Sequence, residues 1–165
     1  MKTSRISVVM TVLFCATAAI ADEREQLKKY FDYYVGEWEV SQEGTDQKGS
    51  LAVTNAKTGN AHVVNFTFGD VTTVAIWGYD PESKRWVGSG FAKDGSHFKS
   101  TVEIPTGRAS VQPGDVIRFS ETAFTDDGEQ VSRWTDNIKS MNHFVMNAET
   151  STETFSGEYS VRRKK

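Results

Sequence analysis

Cysteine is almost missing from this chain of 165 residues: Cys15, near the amino terminus, is the only one. Downstream of it no disulfide can form, and no Cys–His nucleophile or cysteine-ligated zinc can be built. Basic residues are outnumbered too, 19 against 22 acidic, for a formal net charge of −3. A net negative chain does not gather phosphate backbones, so nucleic acid is not an expected partner. The Arg162-Arg163-Lys164-Lys165 ending is a local exception and reads as a solvated terminus. No apolar run approaches the roughly 20 residues that a membrane-spanning helix needs. Beyond residue 36 no ten-residue helical pattern separates the apolar segments, which excludes βαβ units.

What is present begins with a leader. Lys2 and Arg5 precede an apolar run from Ile6 to Phe14, and Ala19-Ile20-Ala21 stands just before Asp22-Glu23. A basic start, a short greasy middle and an A-x-A end make a secretory signal peptide. Residues 1–21 are therefore expected to be removed, leaving 22–165 as a single exported domain, periplasmic or extracellular, with no membrane span. Bulky Phe14 before Cys15 does not suit a lipidation site. Losing Lys2 and Arg5 takes the formal net charge from −3 to −5. The mature length is enough to bury about two-thirds of its unfolded surface without disulfides.

Asp22 to Tyr34 reads as a short helix, because Leu27, Tyr30, Phe31 and Tyr34 fall three and four apart on one face. Gly36 follows as a stop. From there on the apolar pattern has period two, in short runs divided by turn residues. The expected strands start at Trp38 and Val40, then run 50–56, 61–68, 71–79, 85–92, 97–104, 116–124, 131–136, 141–147 and 154–161. Thr58-Gly59-Asn60, Asp80-Pro81-Glu82-Ser83, Lys93-Asp94-Gly95 and Asp126-Asp127-Gly128 supply turns. Strands joined by tight turns pair antiparallel, and so many of them hide their edges best by closing into a ring. The expected fold is all-β: an up-and-down antiparallel barrel of about ten strands with a short N-terminal helix.

Two segments carry a family resemblance. Residues 27–40, L-K-K-Y-F-D-Y-Y-V-G-E-W-E-V, place a Gly-x-Trp at the start of the first strand, and residues 76–87, I-W-G-Y-D-P-E-S-K-R-W-V, hold a G-Y-D-P hairpin. Together with the Y-S-V-R-R ending, the chain resembles a secreted bacterial family of lipocalin-like, calycin-type proteins of unknown function. The resemblance implies a barrel closed at one end by the helix. It also implies that Gly36 and Trp38 help close the barrel, with the Trp38 indole packed against an arginine of the last strand, taken as Arg162. It implies no particular chemistry.

Motifs for chemistry are few. His62, His97 and His143 are far apart, and without cysteines they do not form a zinc pattern. His143 shares a strand face with Met141 and Val145 and could face a cavity, but the surrounding residues do not match a haem-ligating motif. No G-x-S-x-G or P-loop occurs. Ser89 in Gly88-Ser89-Gly90 marks a strand bend. Asp80, Asp94, Asp126 and Asp127 belong to turns, and Asp126-Asp127-Gly128-Glu129 lacks the spacing of a calcium loop. Asn65-Phe66-Thr67 matches a glycosylation sequon but lies within a strand. No cofactor is expected.

A lumen is the remaining candidate site. Val71, Thr73, Ala75, Trp77 and Tyr79 share one face, whereas Val131, Arg133 and Thr135 oppose Ser132, Trp134 and Asp136. Trp77, Tyr79, Arg118, Arg133, Trp134 and His143 are the candidate ligand-binding residues. Aromatics with one or two arginines would suit an apolar ligand bearing an anionic end. The alternative is that the same aromatics fill the barrel. The leading expectation is a non-enzymatic barrel that binds or carries a small apolar or amphipathic molecule. A filled interaction module comes second, and an enzyme with a site at the barrel mouth third.

Overall fold

The computed structural model describes residues 23–150 and 156–165. The leader and its cleavage point after Ala21 lie outside them, as does the stretch from Thr154 to Phe155 expected to open the last strand. An α-helix over residues 23–31 (α1) tightens into a 3-10 turn, Asp32–Tyr34. Ten strands follow: β1 Gly36–Gln42, β2 Lys48–Asn55, β3 Ala61–Phe68, β4 Val71–Asp80 and β5 Arg85–Ala92, then β6 His97–Glu103, β7 Val116–Thr125, β8 Gly128–Ser140, β9 His143–Thr150 and β10 Gly157–Arg163. Each pairs antiparallel with the next, and β1 pairs with β10, so the barrel is closed. Closure leaves no ladder edge open to a stray strand.

Turn chemistry explains why the strands begin and end where they do. The Asp80 carboxylate accepts from the backbone N–H groups of Glu82 and Ser83, and Asp94 accepts from that of Ser96. These bonds shape the β4–β5 and β5–β6 hairpins. Between β7 and β8 the Thr125 hydroxyl donates to the Gly128 carbonyl at 2.9 Å. β8 is longer than the expected 131–136, and a register irregularity at Ile138/Ser140 lets it run on to the rim. Met141, expected to open a strand, lies in the turn that follows and is exposed.

The glycines of β5 make room rather than bend the strand alone. Gly88 and Gly90 face inward, and a Cβ on Gly88 would come within 2.5 Å of the Trp77 ring. Trp77 can therefore lie flat across β5.

Helix α1 plugs one end of the barrel. Tyr30, Phe31, Tyr33 and Tyr34 are buried there with Trp38, Trp86 and Phe144. Phe31 stacks on Trp86 at 5.1 Å, and Tyr33 and Tyr34 pack against Phe144. Three tyrosine hydroxyls fasten the plug to the rim: Tyr30 to Asp115, Tyr33 to the Ser140 carbonyl and Tyr34 to Asp136.

The closing arginine is Arg163, not Arg162 as expected. Its guanidinium lies 4.1 Å from the Trp38 ring centroid and donates to the Tyr33 and Val35 carbonyls, each at 2.6 Å. Those are carbonyls that a helix leaves unpaired at its C-terminal end. The Trp38 indole N–H donates to the Tyr34 carbonyl at 2.8 Å. Arg162 faces outward because inward positions of β10 are odd-numbered: Tyr159 and Val161 are buried and Arg162 is exposed. Gly36, at φ +134°, leaves space for Arg163, whose Nη1 would lie 2.5 Å from a Cβ there.

Candidate functional site: the barrel lumen

Alternation along each strand sends one set of side chains into the lumen, and these do not fill it. A cavity of about 310 Å³ remains, with α1 at one end of its lining. That volume is at the low end of the roughly 300–1,000 Å³ spanned by small-molecule sites. Its walls are mainly aliphatic and aromatic. On one side Phe119 stacks on Trp134 at 5.0 Å with ring planes 8° apart, and Trp77 meets Phe119 edge-on at 5.7 Å. The polar lining residues are His62, Thr73, Glu121, Ser132, Arg133 and Asp136, with Tyr34 adding its hydroxyl.

The two carboxyls differ in setting. Asp136 is 3 % exposed, on the same inward face of β8 as Trp134 and Ile138. Its Oδ2 accepts from the Tyr34 hydroxyl at 2.8 Å, while Oδ1 is buried without a partner. Burial pushes its pKa up to about 7, against the opposing pull of the Tyr34 hydrogen bond. Glu121, inward on β7, accepts from the Ser100 hydroxyl at 2.8 Å, and burial raises its pKa as well. His62 has its Nε2 2.9 Å from Asp32 of the helical segment, and burial holds its pKa below the usual imidazole value.

The residues expected at the site divide by strand parity. Trp77 and Trp134 line the cavity. Tyr79 shares the inward face of Trp77 but stands beyond the cavity, where its hydroxyl donates to Glu23 of α1 at 3.2 Å. Arg118 is exposed on the outer face of β7, because Ile117 and Phe119 are the inward residues there. Arg133 reaches the lining from an exposed position between Ser132 and Trp134. His143 does not enter the lumen: Phe144 beside it is buried, and His143 Nε2 lies 3.1 Å from the Ser160 hydroxyl on the outer face. Of the one or two arginines expected beside an anionic ligand end, Arg133 alone borders the lumen.

Sequence reasoning passed over Glu121 and Asp136. The signal was there: each acid alternates with apolar residues, Ile117-Phe119-Glu121-Ala123 and Trp134-Asp136-Ile138, although Ser132 shares the β8 face. The three histidines are dispersed, with His97 outside between Phe91 and Phe124. Among the described residues no three His, Cys, Asp or Glu side chains converge as a metal site would require. Nor is any helix among them long and apolar enough to cross a membrane. Searches against protein-family models and curated proteins find no match to this chain.

Proposed function

We propose that this protein is an exported, non-enzymatic barrel that binds or carries a small, mostly apolar molecule in its lumen. The observation that carries the reading is the cavity of about 310 Å³ walled by Trp77, Trp86, Phe119, Trp134 and Phe144. Apolar surface moved from water onto such walls contributes about 25 cal/mol per Å² before the costs of association. The lipocalin-like resemblance of the Gly36-x-Trp38 and Gly78-Tyr79-Asp80-Pro81 segments bears on the barrel fold alone.

An enzymatic reading would have to use Glu121 and Asp136. Glu121 stands opposite Ser132, four positions along β8 from Asp136. At about 3.3 Å per residue their backbone positions are roughly 13 Å apart along the sheet. Each carboxyl has its own hydrogen-bond partner, Ser100 for Glu121 and Tyr34 for Asp136, so the two do not share one hydrogen-bonded site. The interaction-module reading draws on an outer band in which Phe91, His97 and Phe124 contact one another across β5, β6 and β7. It ranks second because its filled lumen conflicts with the cavity.

Titration with N-phenyl-1-naphthylamine, an uncharged apolar fluorophore, tests the proposal. Saturable one-to-one enhancement is expected, reduced strongly by Ala75→Phe, which adds a ring to the cavity wall. Absence of uptake by the folded wild-type protein would overturn the carrier reading.

A further inference from the structure

The cavity reading leaves the polar end of the ligand unspecified, and the lumen carries information on it. Asp136 Oδ1 is a buried acceptor to which the described residues present no donor. Leaving such an atom unpaired is costly, so a bound molecule that supplies the missing donor gains more than one that does not.

The groups around Asp136 narrow the choice of donor. From the helical segment, the Tyr34 hydroxyl is already committed to Oδ2, and that of Tyr33 donates to the Ser140 carbonyl. From β3, His62 is engaged by Asp32. From β7 comes a second acid, Glu121, and from β8 Arg133, which is exposed. Among the described residues the lining thus holds two acids and, apart from Arg133 at an exposed position, no lysine or arginine. A ligand carboxylate or phosphate would meet two acids in the lumen and, among the described lining residues, no lysine or arginine other than Arg133. A cation would find Asp136 together with aromatic faces, which attract positive charge.

We infer that the lumen selects apolar molecules bearing a protonated amine, and that the ammonium group donates to Asp136 Oδ1 while the apolar body lies against Phe119 and Trp134. The inference rests on the proposal that the lumen binds ligands at all. It replaces an anionic ligand end with a cationic one. Because burial favours the neutral acid in the empty protein, ammonium binding ionises Asp136 and releases its proton.

Three molecules with one ring system separate the cases: 1-naphthylmethylamine, 1-naphthalenemethanol and 1-naphthoic acid, each competing with N-phenyl-1-naphthylamine. At about pH 8 the amine is expected to displace the fluorophore at about tenfold lower concentration than the alcohol, with the acid weakest. Asp136→Asn is expected to erase the amine's advantage over the alcohol, each competitor being referred to the variant's own fluorophore affinity, and Glu121→Gln to retain most of it. Calorimetry of the wild-type protein near pH 6, in buffers of different ionisation enthalpy, gives a second reading that needs no variant. Release of close to one proton on amine binding is expected.

Equal displacement by amine and alcohol, or no proton release, would overturn the inference and leave the carrier proposal standing. Failure of the fluorophore and all three competitors to bind would overturn both.

Discussion

The guanidinium of Arg163 is sandwiched between the Trp38 ring, 4.1 Å away, and the carbonyls of Tyr33 and Val35 that close the helical segment. One side chain thereby joins the last strand, the first strand and the plug.

Arg163→Ala is expected to cost about 2–4 kcal/mol, from two charge-assisted hydrogen bonds and a partly buried cation–π contact. Arg162→Ala, on the exposed face, is expected to stay within about 0.5 kcal/mol. Urea unfolding midpoints measured side by side check both values. Equal effects would show that the basic ending acts through its charge alone.

Gly88→Ala would place a methyl within 2.5 Å of the Trp77 ring. Because the ring is held by β5 beneath and Phe119 at its side, the clash is expected to cost about 1–3 kcal/mol. The near-ultraviolet circular dichroism of the tryptophans should change with it. An unaltered spectrum and midpoint would mean that Trp77 has space to move aside.

The Asp136 carboxyl predicts a pH dependence of stability. Its pKa is pushed up to about 7 in the folded protein, whereas an unfolded aspartate titrates near 3.9. Between those values the unfolded chain holds fewer protons, so stability falls as pH rises, by on the order of 4 kcal/mol in total, and levels off above about pH 7. Asp136→Asn should flatten this part of the profile. Denaturant melts at half-unit intervals from pH 4 to 8 give the comparison.

Two of the tyrosines that fasten the plug should differ in weight. Tyr34→Phe removes the hydroxyl that donates to Asp136 and should cost about 1–3 kcal/mol. Tyr30→Phe should cost less, about 1 kcal/mol, because Asp115 keeps the Gln112 backbone N–H and the Arg108 guanidinium. Thermal unfolding of the two single variants ranks them.

Much of this architecture was legible in the alternation of apolar residues. The strand boundaries at 61–68 and 85–92 match the structure, and so does the helical face of Tyr30, Phe31 and Tyr34. Period two reveals that a strand has two faces without stating which one is inside. Arg118, Arg133 and His143 were considered for the lumen on that ambiguity. Each has a large apolar neighbour of opposite parity, respectively Phe119, Trp134 and Phe144, and the neighbour points inward, although Arg133 still borders the lumen from its exposed position. The same rule separates Arg162 from Arg163, since Tyr159 and Val161 set the inward parity of β10. The cavity itself was not legible, because the volume left in a ring depends on how ten strands and a plug fit together.

Closing the ring through β1 and β10 has a kinetic consequence. The bond from Arg163 to the Val35 carbonyl joins positions 128 residues apart, so a very long loop must be gathered before that contact returns any free energy. Barrels of this connectivity acquire their final contacts slowly compared with helical bundles. No shorter stretch of the chain contains both halves of the seam, so the polypeptide cannot complete its fold until its final strand is in place.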